Sequence, residues 1–470
     1  LGSAADMFGM HYRFPVFTAL FLLAVAFSFW NDNHAVRTLA GTEAKPWAER
    51  HNVEAALREW MKHQLAEPTA RADTPLPLFV VAAEGGGIRA AYWTANVLTT
   101  IQDRNPCFAD QLFAMSGVSG GSLGSAVFAA LLADQRSGPR NLRCNAETSA
   151  LNDVAKAVLS EDYLASAIAA TLYPDLVQRV LPVAIGRFDR ARALETAWEH
   201  AWRKHTDSDR FAEPLDRLWD NAGERWLPSL LLNATWVETG KRLLVSDLRV
   251  QPRDDEIAEF ADVEDLHRFY NQQALPLSAA VHLSARFTYV SPAGSIDRDG
   301  KTYGHAVDGG YFENSGTTTA LEVIKTIDLL AAREPRWKRV RPYVILISNQ
   351  PVDLRHLDMR LETGPDNKRI KPLPGGNEVL SPWLTLLNTR AARGSYATVT
   401  TRWHLGSSQF LHFGLCKHEH LKIPLGWVLS KAAREAMDAQ LLDNACGEAF
   451  TNKKHLSTIA RALNERMAKR

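Results

Sequence analysis

The pentapeptide Gly117-Val118-Ser119-Gly120-Gly121 constrains this chain more than any other stretch. Leu112 to Ser116 before it reads as a short buried strand, and Leu123, Ala126, Val127, Ala130 and Leu131 after it recur at helical spacing. A chain that passes from strand to helix through one residue crowds its own backbone, so glycines flank the turning residue. Such an elbow lifts its serine to the end of a sheet and aims the next helix N-terminus at the hydroxyl, where developing negative charge is favoured. Alone, the pentapeptide also fits a plain Gly/Ser turn. Two further stretches bear on that choice.

At 470 residues the chain has room for one large domain or two ordinary ones. Basic and acidic residues nearly balance, with a net charge of +1, so no nucleic-acid partner is expected. Cys107, Cys144, Cys416 and Cys446 lack zinc-site spacing. They fall into two neighbouring pairs, which fits two disulfides; buried free thiols fit equally.

Residues 14–30 carry no charged side chain, and Thr18 and Ser28 are their only mildly polar ones. That length is at the short edge of a membrane span, with Tyr12 and Trp30 at interfacial positions. The expectation is an N-terminal span within residues 1–45, single or the last of several, and a membrane-associated protein. The rival is a signal peptide, with Arg13 before the apolar run and Ala24-Val25-Ala26 as cleavage site, giving a secreted protein. No catalytic residue falls in 1–45, so its removal is expected to leave activity on a soluble substrate.

Residues 46–77 read as an amphipathic helix and a Pro-containing linker, Pro68 to Pro77. Leu78 to Ala83 is apolar throughout, as a central parallel strand should be. It runs into Glu84-Gly85-Gly86-Gly87-Ile88-Arg89 and then a helix from about Ala90 to Gln102. Strand, triple glycine, helix is the layout of an anion-binding loop. Glu84 to Arg89 carries neither G-x-G-x-x-G nor G-K-[ST], which excludes the nucleotide readings of this loop. With an elbow serine downstream, the backbone of Gly85, Gly86 and Gly87 reads as an oxyanion hole.

Residues 150–225 are helix-like, as an extra layer over the sheet or a lid. Ser229 to Thr235 and Arg242 to Ser246 form a strand pair around Gly240. Tyr303 to Val307 reads as a strand end, followed by the tight turn Asp308-Gly309-Gly310. Open α/β sheets hold their sites at the carboxyl ends of the strands, which places Asp308 on the edge that carries Ser119. A helix at 317–333 and a strand at 343–348 complete a catalytic domain spanning 78–350. Residues 351–470 read as a mostly helical extension packed on it, with a Pro/Gly-rich loop at 372–376 and no catalytic signature.

Gly85-Gly86-Gly87 with Arg89, Gly117-x-Ser119-x-Gly121 and Asp308-Gly309-Gly310, in that order, resemble the patatin-like phospholipases. The resemblance covers about residues 75–350 and extends to Asn233-Ala234-Thr235 and Ser284-Ala285-Arg286-Phe287. It implies a three-layer α/β/α fold with a mostly parallel sheet and a Ser–Asp dyad that hydrolyses acyl esters of membrane phospholipid or other lipids. On that footing Ser119 is the nucleophile and Asp308 the base. Gly85 to Gly87 supply the oxyanion hole, braced by Arg89, and Gly117, Gly121, Gly309 and Gly310 support the turns. No cofactor or metal is implied. Ala90 departs from the family, which usually has another glycine there.

An ordinary aspartate, with a pKa near 3.9, is a poor base, so the dyad needs a buried, dry site. Its pH profile is expected to show one acidic limb and none near the histidine value of about 6.5. Two rivals stand: a Ser–Asp–His triad using His404 or His412, and a lipid-binding protein without turnover. His305 is set aside because strand alternation turns it away from Asp308.

Overall fold

The structure is a computed structural model that describes all residues except 1–6, 8, 12–13, 30, 67–74, 138–149, 221–224, 251–259, 271–272, 288–289, 351–376, 418–420, 443–451 and 468–470. The expected Pro/Gly-rich loop at 372–376, Tyr12, Arg13, Trp30, Cys144 and Cys446 lie outside the described residues.

The chain is mixed α/β around a mostly parallel sheet. Across it run β11 (Phe410–Phe413), β10 (Val340–Ile347), β2 (Leu76–Ala83), β3 (Leu112–Val118), β4 (Ser229–Trp236), β5 (Arg242–Ser246) and β6 (Val263–Asp265). From β11 to β4 all neighbours are parallel, and β5 folds back antiparallel on β4. β9 (Lys301–Asp308) also pairs with β4, and β8 (Gly294–Arg298) pairs with β9. A separate two-stranded ribbon joins β1 (Leu39–Glu43) to β7 (Gln273–Ala274).

Both faces of the sheet are covered, which explains the unbroken apolar character of β2. Phe79, Val81 and Ala83 enter one core with the helices Gly87–Arg104 and Gly120–Ser137. Leu78, Val80 and Ala82 enter the other with Val53–Ala66 and Thr317–Arg333. The 150–225 region forms helices at Leu151–Val158, Tyr163–Leu172, Pro174–Gln178, Arg190–Thr206 and Arg217–Asp220. Beyond 351 come Asn377–Leu405, Lys431–Leu442 and Asn452–Met467, together with β11, an edge strand the sequence pattern did not indicate. Pro77, assigned to the linker, lies within β2 opposite Arg341.

Cys107 and Cys416 are both disulfide-bonded, which removes the free-thiol alternative for them.

The expected membrane span is overturned. Within residues 14–30 the helix runs only Val16–Phe27, 12 residues or about 18 Å, against a hydrocarbon core of about 30 Å. No helix among the described residues is long and apolar enough to cross a membrane, so the localisation built on that span falls with it. The helix ends at Ser28, whose hydroxyl turns back to the Val25 carbonyl, and the chain from Asn31 onward sinks into the protein. The apolar run was long enough in letters but not in helix.

Candidate active site

The elbow forms where expected. β3 ends at Val118, and Ser119 sits in the left-handed region at φ +52°, a conformation an L-residue holds only under constraint. The constraint is visible. The Ser119 N–H lies 3.0 Å from the Ser284 hydroxyl and 3.2 Å from the Ser284 carbonyl. Ser284 Oγ donates to the Asn233 carbonyl at 2.5 Å and lies 2.8 Å from Ser122 Oγ. Asn233 in turn donates to the Gly117 carbonyl at 2.8 Å and to Ser116 Oγ at 3.0 Å. Gly120 and Gly121 leave no room for a side chain: a Cβ would stand 1.9 Å from the Gly87 carbonyl and 2.4 Å from that of Ala83.

Asp308 reaches the serine by a route the parallel-sheet rule does not describe. Val118 stands opposite Asn233 on β4, and Asp308 opposite Ala234, the next residue. β9 runs antiparallel to β4, whose other edge is taken by β5, so β3 and β9 share one edge. Their carboxyl ends therefore meet head-on. Gly309 is packed into the junction, where a Cβ would fall 2.1 Å from the Asn233 carbonyl. The Asp308 N–H donates to the Arg286 carbonyl at 3.0 Å, and its carbonyl accepts from Thr235 Oγ1 at 3.0 Å.

The Asp308 carboxyl is 2% exposed. Burial pushes it up to about 6, against the ionising influence of the Ser119 hydroxyl, the Gly310 N–H and the Arg390 charge. Gly310 N–H donates to Oδ1 at 2.7 Å. Among the described residues Oδ2 makes no hydrogen bond of standard geometry, while the Ser119 hydroxyl lies near enough to favour the ionised carboxylate. A value of about 6 suits a general base at neutral pH. It also lies close to the ordinary histidine value, so the pH limb no longer separates dyad from triad as the sequence reading expected.

Other contacts separate them. His305 Nδ1 lies 2.6 Å from Glu238, His404 Nε2 is 2.6 Å from Asp328, and His412 Nε2 is 2.6 Å from Ser348 Oγ. Among the described residues no histidine hydrogen-bonds to Ser119 or Asp308.

The glycine loop needs one correction. Gly85 donates its N–H to the Asn314 carbonyl at 2.9 Å, so that donor is not open to an incoming oxyanion. Among the described residues the N–H groups of Gly86, Gly87 and Gly120 make no hydrogen bond and are open to an incoming anion. Gly87 has φ +57°, and a Cβ there would lie 2.1 Å from the Leu425 carbonyl. Arg89 braces the loop indirectly: Nε donates to Asn349 Oδ1 at 3.0 Å, and Asn349 Nδ2 donates to the Gly85 carbonyl at 2.8 Å. Ala90 is already on the helix, its N–H bonded to the Gly86 carbonyl at 3.3 Å.

Sequence reasoning missed Gly120, Asn314, Asn349 and Arg390 as site residues. Gly120 had a signal, since the residue after an elbow serine commonly donates to the oxyanion. Arg390 had none, being carried in by the helix Asn377–Leu405, whose Gly394 packs near Glu313, Asn314 and Ser315.

No protein-family model matches this sequence, and no characterised protein is significantly similar to it.

Proposed function

We propose that this chain is a carboxylic ester hydrolase of the patatin-like, three-layer type, acting on acyl esters of lipids through the Ser119–Asp308 dyad. The observation that carries the reading is the head-on meeting of β3 and β9, which sets a constrained serine beside a buried, weakly acidic aspartate. Asp308 takes the hydroxyl proton as Ser119 Oγ bonds to the ester carbonyl carbon. The oxyanion that forms accepts from Gly86, Gly87 and Gly120. Collapse breaks the acyl–oxygen bond, and Asp308 returns the proton to the departing alkoxide. Water then repeats the cycle on the acyl-serine and releases the acid. A modest base suits esters better than amides, because an alkoxide leaving group needs less protonation than an amine.

Apolar side chains at the mouth favour an acyl substrate. Tyr311, two residues after Gly309, is partly exposed with its ring 6.5 Å from exposed Phe287, and exposed Leu425 borders Gly87. The aspartate's position near neutrality favours turnover over passive lipid binding. The test is hydrolysis of a fluorogenic acyl-ester series of increasing chain length by wild type and Ser119→Ala. The reading requires Ser119-dependent turnover that improves with chain length. Turnover equal in both proteins refutes it.

A further inference from the structure

Residues 31–37 follow a helix with no buried residue, yet Asn31, Asn33, His34 and Val36 are each no more than 6% exposed. They form a strap that is hydrogen-bonded to two different parts of the protein. On one side it joins the helical insertion. Asn31 Nδ2 donates to the carbonyls of Gln178 and Leu181 at 2.7 and 2.6 Å. His34 Nδ1 is 2.6 Å from Asp189, and Arg179 lies 2.8 Å from its Nε2. Because Arg179 can only donate, Nε2 accepts and Nδ1 carries the proton to Asp189.

On the other side the strap meets the elements that hold Asp308. Val36 N–H donates to the Ser295 carbonyl at 2.9 Å and Ser295 N–H to the His34 carbonyl at 3.3 Å, docking the strap on β8, the partner of β9. Arg286, 1% exposed, donates to the carbonyls of His34 at 3.4 Å and Pro292 at 3.1 Å and faces Glu195 at 3.9 Å. Arg37 pairs with the same Glu195 at 3.0 Å. The Arg286 carbonyl is the acceptor of the Asp308 N–H.

We propose that this strap positions the catalytic base, with His34 and Arg286 as positioning residues that fix the Asp308 backbone from the N-terminal side. The proposal rests on the reading of Asp308 as base. It also reverses the expectation that residues 1–45 are dispensable, because the strap lies among them. A displaced carboxylate loses its alignment with Ser119 but leaves the acyl-binding walls alone, so the effect falls on kcat and not on KM.

The experiment uses the full chain and a soluble fluorogenic ester, with active sites counted by a fluorophosphonate probe. His34→Ala and Arg286→Gln should each lower kcat per labelled site about 10–100-fold with KM within about twofold. His34→Asn, whose amide replaces Nδ1 as donor to Asp189, should restore most of the loss. The double variant should lose less than the product of the singles, since the two act as one unit. Should Arg286→Gln fail to fold, the His34 pair decides. A His34→Ala protein with wild-type kcat per labelled site overturns the strap while leaving the dyad standing. A wild type without Ser119-dependent hydrolysis removes the dyad and the strap together.

Discussion

The elbow and the glycine loop both bring backbone to the reacting centre, but they use their hydrogen bonds in opposite ways. At the elbow, Gly120 aside, the donors around Ser119 are spent on geometry: its N–H goes to Ser284, and Ser284 is tied to Asn233 and Ser122. In the loop Gly85 is spent on Asn314, while Gly86 and Gly87 keep their donors open among the described residues. The elbow is built to hold one side chain in a conformation it resists. In the proposed reaction the loop's open donors meet a charge that exists only during turnover. Damage to the first should misplace the nucleophile, and damage to the second should spare the ground state and raise the barrier.

The largest effect belongs to the reacting pair itself. Ser119→Ala and Asp308→Asn should each reduce kcat by at least about 10⁴-fold, and the double variant should be little worse, because groups acting as a unit do not add. Steady-state kinetics on one ester would reveal an independent role for either residue as additivity.

Next comes the loop. A Cβ at Gly86 would stand 2.2 Å from Asn349 Oδ1, so Gly86→Val must displace the segment. We expect kcat to fall about 10²–10³-fold with a much smaller change in KM. A loss confined to KM would make the loop a substrate clamp and erase its contrast with the elbow.

The base side also carries a stability cost, and its sign can be checked. Asp308 titrates at about 6 when folded, above its ordinary value of 3.8. The unfolded chain therefore ionises first, and stability is lost as pH rises from the ordinary value through about 6. Asp308→Asn escapes this loss. Its advantage in urea unfolding should be absent near pH 3.5 and reach on the order of 3 kcal/mol above pH 6.5. An advantage that does not vary with pH would place the carboxyl outside the buried site.

The smallest effect is at the elbow's pin. Ser284→Ala removes one of two acceptors of the Ser119 N–H and leaves the carbonyl. A kcat loss of about tenfold with a lower Tm is expected, equivalent to about 1.4 kcal/mol in the barrier. Unchanged kcat would mean that the glycines alone hold the turn.

Much of this site was legible because its chemistry is written in short, ordered backbone motifs. Glycines beside Ser119 and Asp308, and the triple glycine at 85–87, are forced by close approach, which composition reveals without coordinates. What stayed hidden depends on partners far along the chain. The direction of β9 against β4 cannot be read from its residues, although that direction brings Asp308 to the serine. The withdrawal of Gly85 is decided by Asn314. The apolar run at 14–30 misled because its composition fits lipid, while the stretch that follows it finds buried partners some 145–155 residues away, in the helical insertion.

Labelling by a fluorophosphonate as a function of pH tests the dyad most directly, with the adduct mapped by peptide mass spectrometry. The adduct should fall on Ser119, its formation rate should rise through a single limb near 6, and Asp308→Asn should abolish that limb and nearly all of the rate. Alanine at His305, His404 or His412 should leave the rate within about tenfold. An adduct on another residue, or a histidine variant as unreactive as Asp308→Asn, would contradict the account.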